Sequence, residues 1–323
     1  MSADMQTTAQ MAQGNNRAGD AAIVVDNFTK SYGSLRVVDQ LSLSVQRGEV
    51  FALLGPNGAG KTTTIETLEG YRKPDQGSVR VLGFDPIHQA QSLKPQIGVM
   101  LQQDGLYPGL TAREVLRLFA DYYRRPQNVD ALLERVGLDS ASKTRYRRLS
   151  GGQRRRLALA VALIGNPCLV FLDEPTAGMD PQARLATWEI IRDLKRTGTT
   201  ALLTTHLMDE AERLADRVAI IDHGRLVALD TPGGLTGTQN ATIVRFVAAA
   251  GLDCAQLATL PSASKAEEIR PGSYLLETTD APALVAELSA WLRDHQITLT
   301  ELRVGHGSLE DLFLKLTGTD VKD

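Results

Sequence analysis

Apolar and polar residues alternate in recognisable periods along this chain. Ala21 to Phe28, carrying Ile23, Val24 and Val25, reads as a strand. Leu41, Leu43 and Val45 interleave with Ser42 and Ser44 in the two-residue period of a second strand. Gly48 turns the chain into Val50–Leu54, a continuous apolar run of the kind buried on both faces of a sheet. Gly77 to Leu82 and Ile97 to Leu101 read as further strands. A helix is expected from Thr111 to Tyr123, with Thr111 and Glu114 spaced as a capping box and Pro126 beyond its end. Asp130 to Val136, closed by Gly137, and Gly152 to Ile164, stopped by Gly165, Asn166 and Pro167, give two more. Then follow a short strand Leu169 to Leu172, a helix Pro181 to Arg196, a strand Thr200 to Thr205 and a helix Asp209 to Ala215. Val218 to Asp222 turns through His223 and Gly224 into Leu226 to Leu229. Strands alternating with helices predict an α/β layer around a mostly parallel sheet. Thr231, Pro232, Gly233 and Gly234 mark a boundary. Beyond it the pattern restarts on a smaller scale, with strands at Ile243 to Val247, Tyr274 to Glu277 and Ile297 to Val304. Helices are expected there at Ala281 to Asp294 and Ser308 to Leu316.

Composition narrows the class. The chain has 323 residues, enough for one large or two unequal domains. A net charge of −3 gives no electrostatic case for a nucleic-acid partner. Six arginines, Arg145, Arg147, Arg148, Arg154, Arg155 and Arg156, do cluster, but the acidic overall balance favours a solvated helix face over a nucleic-acid patch. Cys168 and Cys254 have no metal-ligand or disulfide spacing, and are expected to be buried and apolar in a reducing, cytosolic compartment. Residues 1–20 have no signal-peptide character and read as a disordered tail. The longest apolar segment, Leu157 to Leu172, is broken at Gly165, Asn166 and Pro167, too early to span a bilayer.

Two stretches carry chemistry. Gly55, Pro56, Asn57, Gly58, Ala59, Gly60, Lys61, Thr62 and Thr63 match the phosphate-binding loop, placed between a buried strand and a helix start. Glycines let backbone N–H groups turn inward around phosphates, and the helix N-terminus adds a positive dipole end. Lys61 would place a point charge on the β- and γ-phosphates, and the Thr62 hydroxyl would ligate Mg²⁺. The second stretch is the apolar strand ending in Asp173 and Glu174, followed by Pro175. Asp173 suits a metal held through its water shell, and Glu174 suits a base that orients and deprotonates water. Neighbouring strand residues point to opposite faces, so the turn must redirect one of the two.

Leu149-Ser150-Gly151-Gly152-Gln153, ahead of a helix, is the pentapeptide that separates families, and here the chain resembles the ATP-binding-cassette (ABC) ATPases. The resemblance implies a P-loop cassette of the α/β class, a mixed sheet with helices and a helical signature subdomain. It also implies that Ser150, Gly151, Gly152 and Gln153 face the γ-phosphate held by another subunit, so that hydrolysis of ATP with Mg²⁺ needs a dimer. Four further residues fall where the family expects them. Tyr32 resembles the aromatic residue that stacks on adenine, Gln102 the lever glutamine that senses Mg²⁺ and water, Asp180 the loop aspartate that crosses the dimer interface, and His206 the switch histidine that contacts the γ-phosphate. Each has a plainer alternative taken alone: a core tyrosine, a loop glutamine, a helix cap before Pro181, a structural histidine.

The family motifs cover roughly residues 21–235, with the helical subdomain at about 103–165, followed by a small α+β domain over 236–323. The segment Ser308 to Gly318 and the stretch Leu106 to Glu114 look like those of the daunorubicin-resistance ATPase group, which drives type-2 ABC exporters. That resemblance implies an integral-membrane permease as partner, a peripheral position on the cytoplasmic face of the membrane, and export of a drug, antibiotic or lipid-like molecule. An importer ATPase and a soluble ABC protein are the rival readings, and pairing as homodimer or heterodimer stays open. The small domain is expected to hold the dimer together or to set its regulation.

Overall fold

The computed structural model describes residues 21–100, 105–236, 242–306 and 308–317. Strands β1 (Ala21–Tyr32) and β2 (Leu35–Gln46) form an antiparallel pair, and β4 (Gln76–Val81) joins the other edge of β1. A six-stranded sheet lies beside them in the order β5-β6-β7-β3-β8-β9. Its strands are β3 (Val50–Leu54), β5 (Ile97–Met100), β6 (Leu169–Asp173), β7 (Thr200–Thr204), β8 (Arg217–Asp222) and β9 (Arg225–Asp230). All neighbours are parallel except the β8–β9 hairpin, whose turn uses His223 (φ 46°) and Gly224 (φ 77°). Every residue of β3 is buried, because successive side chains feed two different cores. Val50, Ala52 and Leu54 pack with the helices, whereas Phe51 and Leu53 pack against the three-stranded sheet.

The helices obey local signals. After α1 (Lys61–Leu68) and the short α2 (Ala90–Leu93), α3 (Ala112–Ala120) opens on the expected capping box between Thr111 and Glu114. It ends earlier than the expected Tyr123, in a turn where Tyr123 N–H bonds back to Ala120. Helix α4 (Val129–Arg135) is capped by Asn128 and closed by Gly137 at φ 63°. Helix α5 (Gly151–Leu163) starts on a second capping box, Ser150 with Gln153. Helix α6 (Pro181–Arg196) has Asp180 as cap and Pro181 in its first turn, and α7 (Met208–Leu214) follows β7. Thr231 to Gly234, expected as a bare boundary, opens a helical turn, α8 (Pro232–Thr236), in which the Thr231 hydroxyl accepts the Gly234 N–H at 3.0 Å.

The remainder is a four-stranded antiparallel sheet, β11-β12-β10-β13, with α10 (Ala281–Asp294) on one face. Its strands are β10 (Thr242–Val247), β11 (Lys265–Arg270), β12 (Ser273–Thr278) and β13 (Glu301–His306), and α9 (Cys254–Leu257) precedes β11. Leu284, Leu288 and Leu292 of α10 meet Val244, Phe246, Tyr274 and Leu276 in a third core. The strand expected from Ile297 starts only at Glu301; Ile297 and Leu299 pack on this core from the connection instead. Helix α11 (Leu309–Thr317) turns the other way, sending Leu309 and Phe313 into the core of the nucleotide-motif region. The cysteines depart from expectation: Cys168 is exposed and Cys254 half-buried. No helix among the described residues is long and apolar enough to cross a membrane.

Candidate functional site

The edge of the six-stranded sheet at the C-terminal ends of β3, β6 and β7 gathers the chemistry-bearing residues. Leaving β3, the chain makes the loop from Gly55 to Gly60. Gly58 and Gly60 take positive φ, 81° and 102°, a conformation open mainly to glycine. The loop has no spare room at two points. A Cβ on Gly55 would lie 2.3 Å from the Ile221 carbonyl oxygen, and one on Gly60 would lie 2.8 Å from that of Val37. Gly60 caps α1 without any side-chain hydrogen bond, leaving the helix N-terminus to meet an anion through its backbone. Lys61 folds back so that its Nζ donates to the carbonyls of Gly55 (2.6 Å) and Pro56 (2.9 Å). Burial lowers its pKa, while the nearby carboxylates of Glu174 and Asp173 oppose that. Pro56 is half-buried, Asn57, Gly58 and Thr62 are exposed, and Ala59 and Thr63 are buried under the loop.

Asp173 ends β6, and its carboxylate accepts the Thr204 hydroxyl of β7. Burial raises its pKa, with the Thr204 hydrogen bond opposing and the Glu174 charge adding. Glu174 solves the geometric problem of two adjacent carboxylates: its φ is 48°, left-handed, which turns its side chain out of the strand alternation. Such a conformation costs a non-glycine residue about 1–3 kcal/mol and collects at sites where side-chain placement matters. It is held by a Glu174 N–H bond to the Thr204 carbonyl at 3.0 Å. His206 lies just past β7 with Nδ1 3.3 Å from Glu174 Oε1, and both side chains keep partial access to solvent. Thr204, which touches both carboxylate residues, was not legible in the sequence, where it is one of many strand threonines.

Around this centre, Ser150 Oγ accepts the Gln153 N–H (3.2 Å) and Gln153 Oε1 accepts the Ser150 N–H (2.9 Å). Ser150 and Gly151 are exposed, and among the described residues no other part of the fold lies within 4 Å of where a Gly151 Cβ would stand. Among the described residues, a Cβ on Gly152 would meet the Met179 side chain at 3.9 Å. The signature turn therefore offers a bare, glycine-lined helix start to something outside it. Asp180 caps α6 by accepting the Ala183 N–H at 2.9 Å and is exposed. Tyr32, at the end of β1, is 41% exposed, with the Arg72 guanidinium 5.3 Å from its ring centroid. Gln102 lies outside the described residues. Of the arginine cluster, Arg145, Arg147 and Arg148 are exposed, Arg154 stacks 5.4 Å from the Tyr146 centroid, and Arg156 donates to the carbonyls of Val136 and Gly137. Capping, stacking and solvent account for these five side chains, whereas the charge of Arg155 reaches Asp173 and opposes the rise in its pKa.

The donor set fits a divalent cation of the hard kind. Among the described residues no cluster of three or more His, Cys, Asp or Glu could cage a metal. Thr62 and Asp173 instead offer a hydroxyl and a carboxylate oxygen, which suit Mg²⁺ completed by waters and phosphate oxygens. A phosphate-gripping loop, a lysine, and a carboxylate–histidine pair facing it are together competent for phosphoryl transfer to water.

Comparison with known proteins agrees. Residues 38–177 match the family model described as ABC transporter. The Nod factor export ATP-binding protein I of Ralstonia nicotianae is 41% identical over 308 residues, covering 93% of this chain and 94% of that protein. The daunorubicin/doxorubicin resistance ATP-binding protein DrrA of Streptomyces peucetius is 36% identical over 310 residues, covering 94% of each. Among solved structures, the ATP-binding subunit of an ABC transporter superposes with a TM-score of 0.63 at 29% identity, over 67% of this chain and 92% of that one. A dimeric ATP-binding cassette in a post-hydrolysis state with ADP and Pi gives 0.60 at 25% identity, over 65% and 98%.

Proposed function

The chain belongs to the ABC transporter family, and from that membership we propose that it powers export of a small molecule through a separate permease, by closing on ATP as one half of a cassette dimer. It is an ATP-binding, ATP-hydrolysing subunit, of a family whose cassettes dimerise and work with membrane permeases. The observation that carries the catalytic reading is the Glu174–His206 pair, 3.3 Å apart beside Asp173 and facing Lys61.

In this reading the backbone N–H groups from Asn57 to Thr63 and the Lys61 ammonium grip the phosphates, and Tyr32 stacks on the adenine. Thr62, Asp173 and Gln102 would hold Mg²⁺, which would supply positive charge against the phosphoryl oxygens. Glu174 takes the proton of the attacking water, and His206 orients the γ-phosphate against it. Ser150 to Gln153 of a second cassette complete the γ-phosphate site from across the interface, with Asp180 at the crossing. Binding energy available only in the closed dimer drives closure, and phosphate loss reverses it. The exposed start of α5 supports that role, because an exposed helix N-terminus can meet an anion from outside through its backbone.

The permease would dock at the cavity of about 280 Å³ bounded by Glu69, Tyr71, Leu106, Phe119 and Tyr123. The exposed rings of Tyr71, Tyr107 and Tyr122 favour such a surface, since aromatic residues are enriched in protein interfaces. The chain would then sit on the cytoplasmic face of the membrane. Export, rather than import, rests on the relatives named for Nod factor export and drug resistance.

A mixing experiment tests the shared site. A Lys61→Ala chain and a Ser150→Arg chain are each expected to be inactive alone. Mixed, they form heterodimers with one complete site and regain ATP turnover. No recovery on mixing, with dimers present, would remove the sandwich from the account. Efflux into inverted vesicles carrying the permease, abolished by Glu174→Gln, tests the direction of transport.

A further inference from the structure

Helix α7 starts two residues after His206 and carries a carboxyl group the catalytic scheme leaves unused. Glu210 has no exposure at all. Its Oε1 accepts two hydrogen bonds, from the Thr176 hydroxyl at 2.7 Å and from the Trp188 indole N–H at 2.8 Å. Its Oε2 has no hydrogen-bond partner among the described residues. A buried carboxyl with an unsatisfied oxygen is costly. What Glu210 supplies is a fixed connection. Thr176 is two residues past Glu174, and Trp188 belongs to α6, so one oxygen ties the loop after the catalytic strand to the helix after His206. The circuit Glu174–Thr176–Glu210–His206 closes through the 3.3 Å contact between His206 and Glu174.

Helix α7 is also held by the C-terminal helix. Leu309 and Phe313, one turn apart on α11, are completely buried in the same core as Met208, Ala211 and Leu214. Glu212 accepts the Leu309 N–H at 2.5 Å and so caps α11. On its other side α11 is tied to the small sheet, through an ion pair from Asp311 to Arg245 of β10 and one from Lys315 to Glu267 of β11 at 3.1 Å.

We propose that α7 is a positioning element for hydrolysis: Glu210 sets Glu174 against His206, and α11, packed against α7, makes that setting depend on the C-terminal domain. The inference rests on the catalytic reading of Glu174 and His206 given above. Neither Glu210 nor α11 touches nucleotide in this scheme; both act on rate through the pair they hold.

The test uses the full chain, with steady-state ATPase and equilibrium nucleotide binding measured well below each variant's thermal midpoint. Glu210→Leu is expected to lower kcat by about 10- to 100-fold, the scale of a small misplacement of reacting groups, with KM and nucleotide affinity changed by less than about threefold. Glu210→Gln restores most of kcat, because a single amide oxygen can accept both hydrogen bonds. Phe313→Ala, or Leu309→Ala if the first does not fold, lowers kcat with KM held. Combined with Glu210→Leu, its effect is smaller than the product of the separate losses, since both act through α7. Wild-type kcat in folded Glu210→Leu, equal losses in the Gln and Leu variants, or losses that multiply would each overturn the proposal. Glu174→Gln measured alone isolates the underlying reading: if that variant keeps turning over, the catalytic assignment fails, whatever Glu210 does.

Discussion

Glu69, just beyond α1, is 8% exposed and has a free-energy cost that can be read by pH. Burial, with the charges of Asp173 and Glu66 adding, pushes its carboxyl from an ordinary 4.5 up to about 8. The unfolded chain loses this proton near 4.5 and the folded chain near 8. Between those values the folded state holds one proton more, so unfolding free energy falls as pH rises. The stability from keeping Glu69 neutral is whole below about pH 4.5 and gone above about pH 8. The difference amounts to about 5 kcal/mol. Glu69→Gln keeps the shape and removes the ionisation. In urea unfolding of the nucleotide-free chain, the two proteins should match near pH 4.5. The variant should pull ahead steadily, by up to about 5 kcal/mol at pH 8. Parallel stability curves across that range would refute the argument. The same side chain borders the cavity proposed for the permease, so a basic permease residue placed there would trap the ionised form.

Further outcomes follow from single positions. Gly60→Ala must accept φ 102° and a methyl group 2.8 Å from the Val37 carbonyl; it should lose about 1–3 kcal/mol of stability and at least about tenfold in ATP affinity, read by thermal unfolding and nucleotide titration. Thr111→Ala breaks the α3 capping box and should cost about 1 kcal/mol in chemical unfolding, with ATP affinity unchanged. Tyr32→Ala removes a stacking face without base contacts, so it should weaken ATP and GTP alike, by about 1–3 kcal/mol in equilibrium titrations.

Much of this architecture is written in short-range signals. Val50–Leu54 followed by glycines and Lys61 specifies strand, loop and helix by burial, φ and dipole together. The capping residues Thr111, Ser150 and Asp180 fix helix starts because their side chains act within three residues. Adjacent Asp173 and Glu174 require a redirected backbone, and the left-handed φ of Glu174 provides it. What escaped is long-range. Lys265–Arg270 has the charged composition of a solvated segment, yet forms an edge strand because β12 offers it a partner. Cys168 sits at the mouth of β6, where the chain emerges to solvent, so its apolar character did not decide its burial. Glu210 carried a readable clue, since Leu207, Glu210, Ala211 and Leu214 share one helical stripe and three of them are apolar. Its partners Thr176 and Trp188, 34 and 22 residues away, could not be inferred from spacing.

In the proposed mechanism Glu174 is the base in a site completed only when two cassettes close on ATP. The direct measurement is phosphate release with Mg²⁺–ATP for wild type and Glu174→Gln, with mass measured in solution for each, with and without nucleotide. Wild type should turn over ATP, and the variant should lose at least about 100-fold in rate and form a stable ATP-dependent dimer. A Glu174→Gln chain that still turns over ATP, or that binds ATP and stays monomeric, would contradict it.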